Sequence, residues 1–332
     1  MNNRLSKKIP YNKAIAALAV IATLSGVLTV FVGEILLPVA AAVLSSLMLF
    51  ERGPKKPISI SISSLVFLVD MVLGIFIRSY APLASIEIVL IAFLVFHLYK
   101  KRVGKAETAF YVSAAAALML ALSLVFLAFE QTGVYTIASV YEYYSGVYAS
   151  LEKAVVDQLV AFTVTTSGGA VESVFTPESA KALFEEIMSS LVSCGILVSF
   201  LIAGVTLKIF TAVVSRCAED RSFVVSWRFV ASNTVAYFYV ALVFISFFAG
   251  GGTDTFSLTV ANLQTVFMFV FAYSGFGHLF RALSAKRSPF FAFVLLVIGI
   301  LLLSSLALTL LSIYGVISTI TYNKSKNVKD AK

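Results

Sequence analysis

The residues of this chain best suited to chemistry are the ionisable side chains set inside apolar runs. Asp70 stands in Leu68-Val69-Asp70-Met71-Val72 and Glu87 in Ser85-Ile86-Glu87-Ile88, with Arg78 between them. A charge at mid-bilayer costs roughly 2.5–3.5 kcal/mol on insertion scales, so such groups face a partner or a wet cavity. If the two runs form a hairpin, Arg78 sits at its outer turn within reach of either acid. Two roles stay open: an ion pair that fixes the hairpin, and a polar lining for a substrate cavity. Amides form the second group. Asn233 lies near the inner end of one apolar run, and Asn262 and Gln264 lie in the next, two residues apart and therefore on different faces of a helix. Interhelical hydrogen bonds are the ordinary use of such amides, and ligand contact is the alternative.

Other chemistries find no footing. Ser274 and His278 are one helical turn apart. An intramembrane serine protease needs that pair on separate helices and a glycine two residues before the serine, where Ala272 stands. The chain has no Gly-rich phosphate loop ending in Lys-Ser/Thr, and its two histidines, His97 and His278, exclude a zinc HExxH motif. Cys194 and Cys217 are 23 residues apart, roughly 35 Å along a helix, too far for a disulfide. No catalytic residue, metal or cofactor is expected, and the chain is read as a non-enzyme.

The elements that must position these residues are membrane spans. Of the 332 residues 60% are hydrophobic and 13% charged, and mean hydropathy is +0.97. A soluble domain is about 45–50% apolar and about 25% charged. Nine apolar runs appear, at 14–33, 35–50, 58–77, 83–99, 108–129, 189–213, 229–249, 256–280 and 289–322. The expected class is therefore an all-α polytopic bundle of nine or ten crossings. The formal net charge of +8 is no sign of nucleic-acid binding, because the basic residues cluster between runs. Placing the N-terminus inside puts 17 Lys and Arg in the tail before Ala14 and in loops 51–57, 100–107, 214–228 and 281–288. Only Arg78, Lys153 and Lys181 then fall outside, which is the asymmetry of a cytoplasmic face. Glu34 is expected in a solvated turn, and the run from Ala14 is read as an uncleaved first span. The basic tail of Lys324, Lys326, Lys329 and Lys332 favours a hairpin over 289–322, with one long tilted helix as the alternative.

The division of the chain follows its charge. Residues 1–129 form an N-terminal five-span region, 130–188 a connector outside the membrane, 189–322 a C-terminal membrane region and 323–332 a basic cytoplasmic tail. The connector holds eight acids and two lysines. Ile137, Val140, Tyr144, Val147, Leu151, Val155, Leu159 and Phe162 recur at steps of three and four, the pattern of an amphipathic helix. Its tyrosines suit a membrane interface. Thr176-Pro177-Glu178 reads as the start of a second helix.

Several landmarks in the C-terminal half resemble the YybS-like family, membrane proteins of unknown function from Gram-positive bacteria. They are Ser215-Arg216, Trp227-Arg228, Asn262, Gly275 and Tyr314-Gly315-Val316-Ile317, followed by a basic tail. A proline after Trp227-Arg228 is absent, and Ser318 stands where the family often has Asp. This resemblance implies a bacterial cell membrane. The first five spans are similar in arrangement to the solute-binding subunits of energy-coupling-factor transporters. Those subunits bind vitamins or metals and dock on a separate ATPase module through an Ala-xxx-Ala helix. Ala16, Ala19 and Ala22 are here spaced by three. The functional expectation is a transport-related, solute-binding membrane component without its own ATPase. Asp70, Arg78, Glu87, Asn233, Asn262 and Gln264 would line or support its cavity. The alternative is a membrane scaffold or envelope-assembly partner that docks through the acidic connector.

Overall fold

The computed structural model describes residues 11–32, 35–50, 68, 72, 81–165, 171–217, 229–249, 254–286, 288–303 and 305–330. The helices are α1 (Tyr11–Val32), α2 (Leu37–Phe50), α3 (Ala81–Lys100), α4 (Lys105–Thr132), α5 (Ile137–Ala161), α6 (Pro177–Ser189), α7 (Leu191–Cys217), α8 (Asn233–Ala249), α9 (Thr255–Ser284), α10 (Pro289–Leu303) and α11 (Ser305–Asp330). Strand among the described residues is one antiparallel pair, β1 (Thr163–Thr165) with β2 (Val171–Ser173), in which Val164 faces Glu172. Five helical segments are long and apolar enough to cross a membrane, on α3, α4, α6–α7, α9 and α11. Shorter apolar stretches lie in α1, α2, α8 and α10. The chain is thus an all-α polytopic bundle, the form that satisfies every backbone N–H and C=O within its own segment where water is absent. Glu34, Asp70, Arg78 and Trp227-Arg228 lie outside the described residues, as does the run 58–77 apart from Leu68 and Val72.

Helix ends follow local chemistry. Gly133 closes α4 in the left-handed region (φ 67°), donating its N–H to the Phe129 carbonyl. Thr136 and Ser139 form a reciprocal cap at the start of α5. Thr176 caps α6, with Pro177 in its first turn. Asp254 caps α9 by accepting from the N–H groups of Phe256 and Ser257. Arg102 ends α3 at φ 56°, a conformation usually left to glycine. The Val103 N–H reaches back to Leu98 and the Arg102 N–H to Tyr99, so both carbonyls are capped.

Burial divides the bundle into two clusters. The first gathers α1, α2, α3, α4 and α7 around Leu44, Leu47, Ile91, Val95, Val112, Leu207 and Phe210. At its centre α2 is buried on every side from Ala40 to Leu47. A helix apolar all round is stable only in such a place. The second cluster joins α8, α9 and α11 to the start of α4 through Ala106, Ala236, Tyr239, Phe271 and Val316. The α7 helix follows the connector in sequence, yet it packs on α2 and α4. The connector therefore does not separate two independent bodies.

Helix directions can be read from single contacts. Phe110 meets Phe200, and Gly195 lies beside Leu120, so α4 and α7 are antiparallel. Phe238 packs on Phe267, and Ser257 donates to the Ala249 carbonyl, so α8 and α9 are antiparallel. Tyr239 meets Ser312 and Asn233 meets Asn323, so α8 and α11 are antiparallel as well. It follows that α9 and α11 run parallel. Asn323 returns to the side on which Pro289 begins, the side that also carries Lys100–Lys105, Arg216 and Arg281–Lys286. We call this the basic side, and that of the connector the acidic side.

The α9–α11 contact is the most extensive helix pair among the described residues. Its crossing is at Gly275 and Gly315. A Cβ on Gly275 would strike the Leu311 carbonyl oxygen, and one on Gly315 the Phe271 carbonyl oxygen. Either Gly275→Ala or Gly315→Ala should destabilise the protein by about 1–3 kcal/mol or more, since backbone cannot yield as a side chain can. Gly277 has open space around the same position, so Gly277→Ala should stabilise by up to about 1 kcal/mol. Unfolding midpoints in detergent check all three. Asp254 is held below the usual carboxylate range, chiefly by the Ser257 hydroxyl and then by the Ser257 N–H. Its capping contribution should be complete above the unfolded pKa of about 3.9 and lost as pH falls through the lower folded value. Amide exchange at Phe256 and Ser257 should rise over that acid range, and the rise should be absent in Asp254→Asn.

Candidate functional site

Two polar places lie inside the membrane-embedded clusters. In the first cluster, Glu87 is 4% exposed near the acidic-side end of α3. Ser85, two residues earlier, is 2% exposed, and its hydroxyl has no hydrogen-bond partner. Their neighbours on the same helix are the buried Ile88, Ile91 and Ala92, and α3 packs on α2. Two residues apart, they lie on different faces of α3, so the carboxylate and the unsatisfied hydroxyl are separate polar groups at one helix end. Arg78, the partner that the sequence suggests for Glu87, lies outside the described residues, as does Asp70.

The second place is the α8–α9–α11 seam. The Tyr239 and Ser312 hydroxyls are 3.2 Å apart and buried. The Tyr239 ring stacks on Phe271 at 5.2 Å, which fixes the hydroxyl over α11. Nearer the basic side, Asn323 Nδ2 donates to the Ala231 carbonyl (3.0 Å) and to Asn233 Oδ1 (2.9 Å). Asn233 is thus tied into the helix packing, which is the first of its two expected roles.

Asn262 does a different job on the acidic side. The α6 and α7 helices are separated by Ser190 alone. Such a break leaves carbonyls of the first helix and N–H groups of the second without intrahelical partners. Asn262 serves both. Its Nδ2 donates to the Ser189 carbonyl (3.1 Å), and its Oδ1 accepts from the Ser193 N–H (3.2 Å). It also donates to Leu258 of its own helix. Gln264 is half-buried on another face of α9, as the two-residue spacing requires.

Outside the bundle, α5 and α6 lie antiparallel. Tyr148 meets Phe184 edge-on, and Lys181 pairs with Glu152 at 3.1 Å. Between them lies an open groove of about 490 Å³ lined by Glu152, Lys153, Asp157, Glu178 and Lys181 over Ala149, Val156 and Pro177. Tyr144 ties α5 to the bundle by donating to the Leu124 carbonyl at 2.7 Å. Burial, and then the neighbouring Tyr143, raise the pKa of the Tyr144 phenol. The half-buried stripe of α5 includes Val140, Val147, Val155 and Leu159, but Ile137 and Leu151 of the same periodic set are exposed.

The sequence-derived site residues therefore do not converge. Glu87 is in the first cluster, Asn262 at the acidic-side joint of α6, α7 and α9, and Asn233 at the basic-side end of α8. Missing from the sequence reading were Ser85, Tyr239, Ser312, Thr319 and Asn323. The hydroxyls are common in apolar helices and carry no signal of their own, whereas Asn323, an amide ahead of a lysine-rich tail, was the one with a visible cue. No protein-family model, curated protein or solved structure matches the chain.

Removing Asn262 should expose the joint. Asn262→Ala leaves the Ser189 carbonyl and the Ser193 N–H unsatisfied and should cost roughly 1–3 kcal/mol. Asn262→Asp should keep the acceptor for Ser193 and lose the donor for Ser189, giving an intermediate loss. Detergent unfolding of the two variants against the parent measures the order.

Proposed function

We propose that this protein is a transport-related membrane component that binds a small polar solute in the first helix cluster, at Glu87. The observation that carries the reading is the carboxylate of Glu87, 4% exposed near the acidic-side end of α3. Ionisable groups at such depth mark solute or ion pathways more often than they mark ordinary packing. The chain has no phosphate-loop motif of its own, so any ATP hydrolysis belongs to a separate partner module. The similarity of the first spans to energy-coupling-factor binding subunits supports the same reading. The basic side is then the cytoplasmic face of a bacterial cell membrane, with the N-terminus inside.

A scaffold role is the second reading. It is favoured by the large apolar groups that the connector presents outward, where Tyr135, Ile137 and Tyr141 are 77%, 87% and 76% exposed among acidic side chains. Patches of that kind mark protein or membrane contacts.

Purification from the native host in mild detergent, with mass spectrometry of co-purifying proteins and small molecules, separates the two. A retained solute, or an ATPase module, is the expected result. Glu87→Gln should abolish solute retention while leaving the unfolding midpoint within about 1 kcal/mol of the parent. Loss of folding in Glu87→Gln assigns the carboxylate to a structural pair. Recovery of envelope-assembly proteins with no solute overturns the transport reading.

A further inference from the structure

The periodic apolar face of α5 is only partly used in packing. Val140, Tyr144 and Val147 are half-buried, and the Tyr144 hydroxyl holds this side of the helix against α4. Ile137, Tyr141 and Tyr148 are exposed. At about 100° per residue these three fall within roughly 40° of one another around the helix axis. Glu142, Lys153 and Asp157, exposed as well, fall roughly 150° away from them. One edge of α5 is therefore apolar and outward-facing, with the charges gathered on the opposite side.

Two contacts fix the depth of that edge. Tyr144 reaches the carbonyl of Leu124. Leu124 lies about 9 Å along α4 before Glu130, the first charge at that end of the helix. The start of α5 is thus held beside the apolar part of a membrane span. The second contact is aromatic. Phe126, Phe129 and Tyr135 form a chain of rings, 6.2 Å and then 5.4 Å between centroids, that leads from the span to the start of α5. On α4 the exposed Leu118, Leu122 and Phe126 belong to a segment long and apolar enough to cross the bilayer, so they face acyl chains. The exposed Tyr135, Ile137 and Tyr141 continue that lipid-facing surface without a charged gap on the same side.

We propose that the start of α5 is a lipid anchor. Tyr135, Ile137 and Tyr141 insert into the headgroup–acyl boundary of the leaflet on the acidic side. Tyrosine suits this depth, because its ring can rest among acyl chains while its hydroxyl stays wet. An amphipathic helix seated in this way sinks its apolar edge about 5–10 Å and leaves its charged side in water. The anchor also steadies α6, which is joined to α5 by the Tyr148–Phe184 and Glu152–Lys181 contacts and leads into the joint at Ser190. It does not rest on the Glu87 reading. It assigns to lipid the side chains that would otherwise favour a protein partner.

Tryptophan fluorescence in phosphatidylcholine vesicles tests the anchor. Lipid brominated high on its acyl chains quenches from the membrane, and acrylamide quenches from water. Trp227→Phe removes the one native tryptophan. Full-length protein with Ile137→Trp or Tyr141→Trp is compared with Leu118→Trp, on the lipid-facing side of α4, and with Ser150→Trp, exposed on the charged side of α5. Emission from Ile137→Trp and Tyr141→Trp should fall about twofold in brominated lipid, as for Leu118→Trp, with little effect of acrylamide. Ser150→Trp should show the reverse. Quenching of Ile137→Trp and Tyr141→Trp by acrylamide alone places the edge in water and overturns the proposal. Shielding from both quenchers means that a second copy of the chain covers the edge, which overturns it too. A second measurement keeps Trp227 in place. A nitroxide on Ile137→Cys, in a chain with Cys194→Ser and Cys217→Ser, should relax faster with oxygen, which concentrates in lipid, than with a water-soluble nickel chelate. The opposite order overturns the anchor.

Discussion

Two missing side chains let the backbones of α9 and α11 touch. At Gly275 and Gly315 the backbones of α9 and α11 touch so closely that a methyl on either would collide with a carbonyl of the other. Lipid tails are as apolar as leucine, so apolar burial gives membrane helices little reason to associate. What holds them is dispersion over a close, well-fitted contact and the hydrogen bonds such closeness permits. The Tyr239–Ser312 and Asn233–Asn323 bonds are both of this second kind. They join α8 to α11, and the stacking of Tyr239 on Phe271 brings α9 into the same unit.

The first cluster is organised differently. Its centre is a short helix, α2, which is about 21 Å long at 14 residues and is less than the roughly 30 Å of the hydrocarbon core. Surrounded by α1, α3 and α7, it can hold small residues on every face. Ala40, Ala41, Ala42, Ser45 and Ser46 are all buried there, and the serine hydroxyls are returned to the Ala42 carbonyl. The α7 helix makes the first cluster depend on sequence beyond the connector. Because α4 and α9 also meet, at Phe110 and Phe267, the two clusters share a wall and do not behave as separable domains.

Polar groups inside the bundle fall into three kinds. Some hydroxyls are silent, bonded to their own helix. Some amides join elements, as Asn262 does where α6 gives way to α7. A few hydroxyls are left without a hydrogen-bond partner: Ser85 in one cluster, and Ser274 and Thr319 in the other. The price of a polar atom in hydrocarbon is what makes the third kind informative. A residue that had only to fill space would have been met just as well by alanine or valine.

By itself the sequence determined the environment, the all-α class, the amphipathic connector helix and the helix starts at Thr176-Pro177. These rest on composition and on periodicities of three and four, which are local properties that survive without knowing any partner. It also placed Asn262 and Gln264 on different faces, since helical geometry alone requires it. The tertiary structure decided which helices meet. Gly275 and Gly315 are 40 residues apart and have no feature that announces a shared contact. Their pairing depends on α9 and α11 running parallel, which follows from both lying antiparallel to α8. The same holds for α7, assigned by sequence order to the second half and by packing to the first. Asn262 was legible as an interhelical amide, but its two bonds needed the break at Ser190 to exist beside it. The orphaned hydroxyls were invisible for a related reason. Whether a serine in an apolar helix bonds its own carbonyl or is left waiting for a partner is a matter of side-chain rotation and neighbouring atoms, and a string of residue types contains neither.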